Sequence, residues 1–308
     1  MSAENNSIVG LIIKIQRFSI QDGPGIRSTI FLKGCPLRCL WCSNPEGQNP
    51  YPELMYNELN CLPDCTLCID RCVSNALRKV EGKVVLERAS CNICGECARV
   101  CPSKALTLVG TYVRPQDTLK VVMRDREFYE RSGGGVTLSG GEPLYQPDFT
   151  REILRLCKSE GIHTALDTSG YASWRTIEGI LKYTDIVLYD IKHMDPHLHK
   201  EYTGVSNEVI LDNLKRIAIL GIPIIIRIPI IPGLNDSYEN LSKAADYILK
   251  LSSVIEIDLL PYHRLGEPKY RMLGRNYPLS VLRQPDREYM RKIAEIFTQF
   301  GVKVNVIS

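Results

Sequence analysis

The sequence predicts an α/β fold: a parallel sheet covered by helices, with a small cysteine-rich insert in its first half. Three observations predict it. From about residue 111 onward, short apolar runs alternate with amphipathic helical periods, the βα pattern of doubly wound sheets and barrels. Residues 57–108 change character and carry eight of the twelve cysteines in two similarly spaced quartets. Three more cysteines sit in one loop, directly after an apolar run. At 308 residues, the chain has room for a large domain carrying such an insert.

Taken in order, residues 9–18 read as a first strand. The loop Ser19-Ile20-Gln21-Asp22-Gly23-Pro24-Gly25-Ile26-Arg27 must turn tightly, with two glycines and a proline. Residues 29–32 are a second strand, leading into Gly34-Cys35-Pro36-Leu37-Arg38-Cys39-Leu40-Trp41-Cys42-Ser43-Asn44. Later strands are expected at 136–138, 163–167, 185–191, 223–231, 255–260 and 302–306. Helices are expected between them at 149–159, 173–183, 207–220, 238–251 and 286–300. Gly161 and Gly221 stand just past helix ends, where C-terminal caps fall. In such folds ligands gather at the C-terminal ends of the strands.

Composition removes several function classes. A net charge of +3, with Lys and Arg spread along the chain, does not make a nucleic-acid groove or a surface for anionic membranes. The apolar run 222–231 is too short to span a bilayer and is broken by Pro223, Arg227 and Pro229. Residues 1–7 are polar and lack the apolar core of an export signal, so a cytoplasmic protein is expected. In a reducing cytosol, twelve cysteines argue for metal binding rather than disulfides.

The loop of Cys35, Cys39 and Cys42 has C-x3-C-x2-C spacing. A four-iron cluster takes four protein thiolates, so three would leave one iron open to a small ligand. A zinc knob short of one ligand, or three core cysteines, are the competing readings. Cys91-x2-Cys94-x2-Cys97-x3-Cys101-Pro102 is the bacterial ferredoxin run, whose fourth cysteine serves the other cluster. Cys61-x3-Cys65-x2-Cys68-x3-Cys72 repeats it with one extra residue in the first gap. The expected sets are therefore Cys61, Cys65, Cys68 and Cys101 for one cluster, and Cys91, Cys94, Cys97 and Cys72 for the other. Two zinc ribbons are the alternative. Cys157, on the helical stretch 149–159, reads as a buried core residue.

Chemically suggestive residues fall at strand ends. Ser139-Gly140-Gly141-Glu142-Pro143 is a Gly-Gly turn that would let a ligand approach the backbone. Asp167 ends one strand, and Asp190-Ile191-Lys192 ends the next with an acid and a base, either a site or a surface ion pair. Arg227 lies among isoleucines and needs a buried anionic partner or a route to solvent. His263 follows Leu259-Leu260-Pro261-Tyr262 and is either functional or a satisfied structural imidazole.

Together these pieces resemble the radical S-adenosylmethionine superfamily, and within it the activating enzymes of glycyl radical enzymes, relatives of the pyruvate formate-lyase activase. The resemblance spans the chain. It rests on Asp22-Gly23-Pro24-Gly25-Ile26-Arg27, the Cys35/Cys39/Cys42 loop with Trp41, and Gly133-Gly134-Gly135-Val136-Thr137 leading into Ser139-Gly140-Gly141-Glu142. Asp190-Ile191-Lys192, Gly204-Val205-Ser206-Asn207 and Leu260-Pro261-Tyr262-His263 complete it. It implies a partial (β/α)6 TIM-like barrel formed by residues 1–56 and 109–308, with a ferredoxin-type 2[4Fe-4S] insert at 57–108. The insert, absent from the pyruvate formate-lyase activase, points to activases of other members. By the family pattern, Cys35, Cys39 and Cys42 hold the cluster that chelates S-adenosylmethionine. Trp41, Cys42, Ser43, Gly141, Asp190, Ile191, Lys192 and His263 would hold that cofactor, helped by Asp167 and Arg227. Lys192 joins the three cysteines as a catalytic residue. The implied reaction is reductive cleavage to methionine and a 5′-deoxyadenosyl radical, which takes hydrogen from a glycine Cα of a partner enzyme. Three [4Fe-4S] clusters, a flavodoxin or ferredoxin reductant and a monomer are the accompanying expectations. A radical enzyme acting on a small molecule, and a multi-cluster electron carrier without catalysis, are the rival readings.

Overall fold

The structure, a computed structural model, describes residues 8–301 and 303–307. The polar start at residues 1–7 and residue 302 of the expected last strand lie outside the described residues.

In chain order the strands are β1 (Gly10–Ser19), β2 (Arg27–Leu32), β3 (Glu53–Tyr56), β4 (Leu77–Val80), β5 (Lys83–Leu86), β6 (Leu106–Val109) and β7 (Thr111–Val113), followed by β8 (Gly135–Gly140), β9 (His163–Thr168), β10 (Ile186–Asp190), β11 (Ile224–Ile230), β12 (Val254–Pro261) and β13 (Val304–Val306). Nine of them form one open sheet, in the order β13-β12-β11-β10-β9-β8-β2-β1-β7. From β2 to β13 every neighbouring pair is parallel. β1 runs antiparallel to β2, and β7 antiparallel to β1. The parallel sheet expected from the βα rhythm is present from β2 to β13, and β1 and β7 add an antiparallel edge to it. The cause is the short turn between β1 and β2, since a parallel return needs a crossover of about a dozen residues or more.

Alternation along the strands feeds two faces. On β10, Val187 and Tyr189 join the large core under the helices, while Ile186 and Leu188 join a smaller cluster with Ala165 and Ile225. The helices Pro147–Ser159, Trp174–Leu181, Glu208–Ile219, Tyr238–Ile248 and Arg287–Thr298 match the expected periods. Cys157 is fully buried in the large core. Helices at Pro115–Val122, Arg126–Ser132, Pro196–Thr203 and Glu267–Met272 were not expected from the sequence.

The sheet curls. Arg227 on β11 donates from Nη2 to the Gln21 carbonyl, in the turn leading to β2. In a flat sheet those strands, four spacings apart, would stand about 19 Å from one another. The turn is held by its own polar contacts. Asp22 accepts from Ser19 Oγ at 2.5 Å and Thr29 Oγ1 at 2.7 Å, and its carbonyl accepts from Thr137 Oγ1 at 2.7 Å. Arg27, fully buried, donates to Thr137 Oγ1 at 2.7 Å, Val136 O at 2.8 Å and Pro24 O at 3.0 Å. A side chain at Gly25 would meet Gly134 N at 2.4 Å.

Between β2 and β8 the chain makes a small body with its own apolar cluster, Leu54, Cys68, Leu77, Val84, Cys97 and Leu106. Pairs β3–β6 and β4–β5 frame it.

Leu138, with no exposed surface, packs at the centre of the large core. Leu138→Ala should lower unfolding stability by about 2–5 kcal/mol in urea titrations. Leu59→Ala, at a residue 88% exposed, should change it by no more than about 0.5 kcal/mol.

Candidate functional site

The cysteine loop leaves the C-terminal end of β2 and is seated by backbone. Gly34 N–H donates to Gly47 O at 2.7 Å and Cys35 N–H to Gln48 O at 3.0 Å. Arg38 N–H and Leu40 N–H donate to Thr203 O and Tyr202 O, at 2.7 and 3.0 Å, in the last turn of the helix Pro196–Thr203. From the other side come Gly141 N–H to Leu32 O at 2.8 Å and Glu142 N–H to Gly34 O at 2.9 Å. A Cβ at Gly141 would stand 2.4 Å from both Gly34 O and Gly47 O. The Gly-Gly turn is therefore demanded by the packing of the cysteine loop, beyond any ligand. Gly266 closes the third side, where a Cβ would meet Cys42 O at 2.6 Å.

Beneath this loop lies a cavity of about 250 Å³ whose wall includes all three cysteines. Trp41, Ser43, Gly141, Asp167, Asp190, Lys192 and Arg227, expected from the sequence, also line it. Ile191 and His263 do not. The Ile191 side chain belongs to the large core, and its N–H is committed to Arg227 O at 2.9 Å. His263 is half-buried, its Nδ1 accepting from Leu265 N–H at 3.3 Å. Asn44, Ser139, Thr168, Ser169, Pro229 and Leu260 also line it, none of them among the residues expected to hold the cofactor. For all but Asn44, a position within two residues of a strand end was the available signal.

Charges in the cavity are paired and desolvated. Lys192 Nζ stands 2.7 Å from Asp190 Oδ2. Burial pulls the ammonium down, but Asp190 and the Cys39 sulfur outweigh it and leave Lys192 firmly cationic. Asp167 accepts from Ser139 Oγ at 2.6 Å and faces Arg227 Nη1 at 3.3 Å. Burial drives its carboxyl up to about 6 against the pull of Arg227. Arg227 Nε is buried with no hydrogen-bond partner among the described residues. Burial pushes the Cys35 thiol far up and the Cys39 thiol to about 12. The chain thus offers three thiols, a cation, an acid and an orphaned guanidinium N–H around one space.

Glu142 is a clamp. It accepts from Leu144 N at 3.1 Å and Thr168 Oγ1 at 2.6 Å on one oxygen, and from Ser169 N at 2.8 Å and Ser169 Oγ at 2.5 Å on the other. It ties the tip of β8 to that of β9. Asn235 does the same between β10 and β11. Its side chain donates to Lys192 O at 3.0 Å and Pro229 O at 2.5 Å, and accepts from Ile231 N at 2.7 Å.

The other eight cysteines gather in two hollows of the small body between β2 and β8. Cys61, Cys65, Cys68 and Cys101 line one; Cys72, Cys91, Cys94 and Cys97 line the other. Cys72 Sγ lies 3.7 Å from Ser74 Oγ and Cys101 Sγ 3.7 Å from Ser103 Oγ, equivalent contacts in the two repeats. Among the described residues there is no group of three or more His, Cys, Asp or Glu able to hold a metal ion. A four-iron cluster takes one thiolate per iron, so it does not require thiols converging on one point.

A family model described as the radical SAM superfamily matches residues 91–245. The chain belongs to the radical SAM superfamily. The isethionate sulfite-lyase activating enzyme of Nitratidesulfovibrio vulgaris is 43% identical over 304 residues, covering 97% of this chain and 98% of that protein. The (2S)-3-sulfopropanediol dehydratase activating enzyme of Klebsiella oxytoca is 44% identical over 307 residues, covering 97% of each. The chain is accordingly a radical SAM enzyme of the activating group, a class whose chemistry uses a [4Fe-4S] cluster and S-adenosylmethionine. The crystal structure of Streptococcus suis SuiB bound to precursor peptide SuiA shares the fold, with a TM-score of 0.52 at 15% identity over 88% of this chain and 46% of that one.

Two outcomes follow for the site. Glu142→Gln replaces one acceptor oxygen by a donor facing other donors, and should cost about 1–3 kcal/mol of stability in chemical denaturation. Asp167 has its folded carboxyl raised to about 6, above the ordinary 3.8, so the native state holds this proton more tightly than the unfolded one. Its contribution is full below 3.8 and lost as pH rises through about 6. Wild type should therefore gain stability relative to Asp167→Asn between pH 7 and pH 5; a constant difference would contradict this.

Proposed function

We propose that this enzyme activates a partner glycyl radical enzyme, with three [4Fe-4S] clusters, a partial-barrel core made by residues 1–56 and 109–308, and a ferredoxin-type insert at 57–108. One observation carries the reading: Cys35, Cys39 and Cys42 share a cavity wall with Asp190, Lys192 and the orphaned Nε of Arg227, and no fourth cysteine joins them. Cys157 is sealed in the core and the remaining eight lie in the insert. That donor set fits a four-iron cluster with one open iron, and the charged wall fits an amino-acid head group beside it.

Cys35, Cys39 and Cys42 would hold the cluster, and with S-adenosylmethionine it would supply the radical chemistry that takes hydrogen from a glycine Cα. The chain's own residues position and shield. Lys192 places a fixed positive charge where a carboxylate would lie, and Asp190 offsets it and can accept from an ammonium. Arg227 keeps one N–H for an anion or carbonyl, while Asp167 and the Gln21 carbonyl hold its other arms. Trp41, packed with Ile231, Tyr262 and Tyr270, closes the side of the cavity to water. Asp22, in the turn before β2, stands 4.0 Å from Arg227 Nη2 and adds to the negative charge around that guanidinium.

The activating enzymes among the relatives support a glycyl radical enzyme as partner. Insert cysteines in the ferredoxin arrangement support a low-potential carrier, flavodoxin or ferredoxin, as the electron donor in a reducing cytoplasm. Among the described residues no helix is long and apolar enough to cross a membrane.

Reduced, reconstituted protein should cleave S-adenosylmethionine to methionine and 5′-deoxyadenosine and raise a doublet EPR signal on its partner; Cys39→Ala should abolish both. Cleavage without any protein-borne radical, but with hydrogen taken from a small molecule, would replace the proposal. Replacing Cys94 and Cys97 with alanine should slow activation driven by flavodoxin and leave activation by a strong chemical reductant largely intact. Unchanged rates with flavodoxin would sink the relay role of the insert.

A further inference from the structure

The small body between β2 and β8 repeats one unit twice, and a buried hydroxyl belongs to only one of the two copies. Strands β3 and β5 open the copies, and each ends five residues before the first cysteine of its quartet, Cys61 or Cys91. Tyr56 and Leu86 therefore hold the same place. The sheet register agrees. Tyr56 stands opposite Leu106 in the β3–β6 pair, and Leu86 opposite Leu77 in the β4–β5 pair. Leu77 and Leu106 each lie five residues after the last cysteine of a quartet. Both Tyr56 and Leu86 pack against the same apolar cluster. Tyr56 lines the hollow of Cys61, Cys65, Cys68 and Cys101; Leu86 lines that of Cys72, Cys91, Cys94 and Cys97.

The Tyr56 hydroxyl is sealed from solvent and has no hydrogen-bond partner among the described residues. A buried hydroxyl left unpaired is costly, and an unpaired group in a native fold calls for a redox role or a bound partner. Apart from the thiols, its hollow is walled mostly by apolar side chains, Leu62, Leu67, Val84 and Leu106 among them. The serines do not separate the copies: Ser103 Oγ lies 3.7 Å from Cys101 Sγ, as Ser74 Oγ does from Cys72 Sγ. In the second hollow, Asn92 Oδ1 accepts from Cys94 N–H at 3.3 Å and Arg71 is exposed to water. The phenol of Tyr56 is the sealed, unused donor.

We infer that the Tyr56 hydroxyl donates a hydrogen bond to a sulfur of the four-iron centre held by Cys61, Cys65, Cys68 and Cys101, and so raises the reduction potential of that centre. The inference rests on the functional reading above, which puts a cluster in this hollow. Reduction adds one electron from the flavodoxin or ferredoxin donor, with no covalent bond made or broken and no proton moved. The added negative charge spreads onto the sulfurs, and an O–H pointed at one of them stabilises the reduced form more than the oxidised form. Hydrogen-bonding partners one step behind the ligands are a general means of such tuning. Leu86 offers the equivalent centre no such donor, so one residue separates two sites that the repeat otherwise builds alike.

The test is an equilibrium redox titration of the full-length reconstituted protein, read by EPR. The loop centre is recognised by its response to S-adenosylmethionine, and the Cys61 centre as the one that Cys65→Ala removes. Tyr56→Phe keeps the ring and loses the hydroxyl; it should move the Cys61 centre to a lower potential and leave the other two where they are. In protein exchanged into D2O, electron–nuclear double resonance should show a deuteron coupled to the Cys61 centre that is absent from Tyr56→Phe. An unshifted Cys61 centre, a loop centre that shifts by the same amount, or a shift with unchanged deuteron couplings overturns the inference. Should Tyr56→Phe fail to hold the centre, Tyr56→Leu, which copies the other repeat, decides by the same two readouts. Reconstituted wild type that carries only the loop centre overturns the three-cluster reading, and this inference with it. A Cys61 centre present but indifferent to the lost hydroxyl overturns this inference alone.

Discussion

The backbone seat of the cysteine loop is the constraint on which the rest depends. Gly34 donates to Gly47 and accepts from Glu142, and Gly141 fits between their carbonyls with no room for a Cβ. Because that contact is made by main chain, it fixes the directions in which Cys35, Cys39 and Cys42 project. Strand tips then only have to deliver charge beneath them. Glu142 and Asn235, each buried with its acceptors or donors fully used, hold those tips in pairs. Loops that carry a site are ordinarily mobile; here buried polar clamps replace regular secondary structure as the source of rigidity.

The cysteine-rich stretch between β2 and β8 has its own apolar cluster and meets the rest of the chain through charge and backbone. Arg88, three residues before Cys91, donates to Leu54 O at 2.8 Å and to Met272 O at 2.7 Å. Lys269 reaches from the same C-terminal helix to Glu46 and Asn44, at 2.6 and 2.8 Å, just behind Cys42. Arg275 and Lys33 meet on Glu53, at the first residue of β3. One C-terminal segment thus straps the insert and the cysteine loop together. Leu54 borders the hollow of Cys72, Cys91, Cys94 and Cys97, and Tyr56 borders the other hollow. The first of these sits nearer the strap.

What could be read in advance was what local pattern carries. The apolar runs at Val136, Val187 and Ile225 can only be buried strands, and cysteine spacing sorted eight thiols into the same two groups that line the two hollows. A second role of Gly141, packing against the cysteine loop, was not legible, because sequence does not show that a turn's missing side chain faces another turn a hundred residues away. The helix Pro196–Thr203 escaped because its apolar periodicity is weak. Its boundary signals were present: Asp195 caps the N–H groups of His197 and Leu198, Pro196 opens the first turn, and Gly204 ends it at φ 85°. The direction of β1 was legible only from the shortness of the turn that follows it. Gln48 and Arg275 could not have been paired at all, since 227 positions separate them.

The central claim is that the three-thiol loop leaves one iron free for an amino-acid head group. Electron–nuclear double resonance on the reduced protein with S-adenosylmethionine labelled at the amino nitrogen (15N) and carboxylate oxygen (17O) tests it directly. The account predicts hyperfine coupling of both labels to the cluster in wild type, and none when Cys39 is replaced by alanine. A fully ligated cluster that shows no coupling to either label would contradict it.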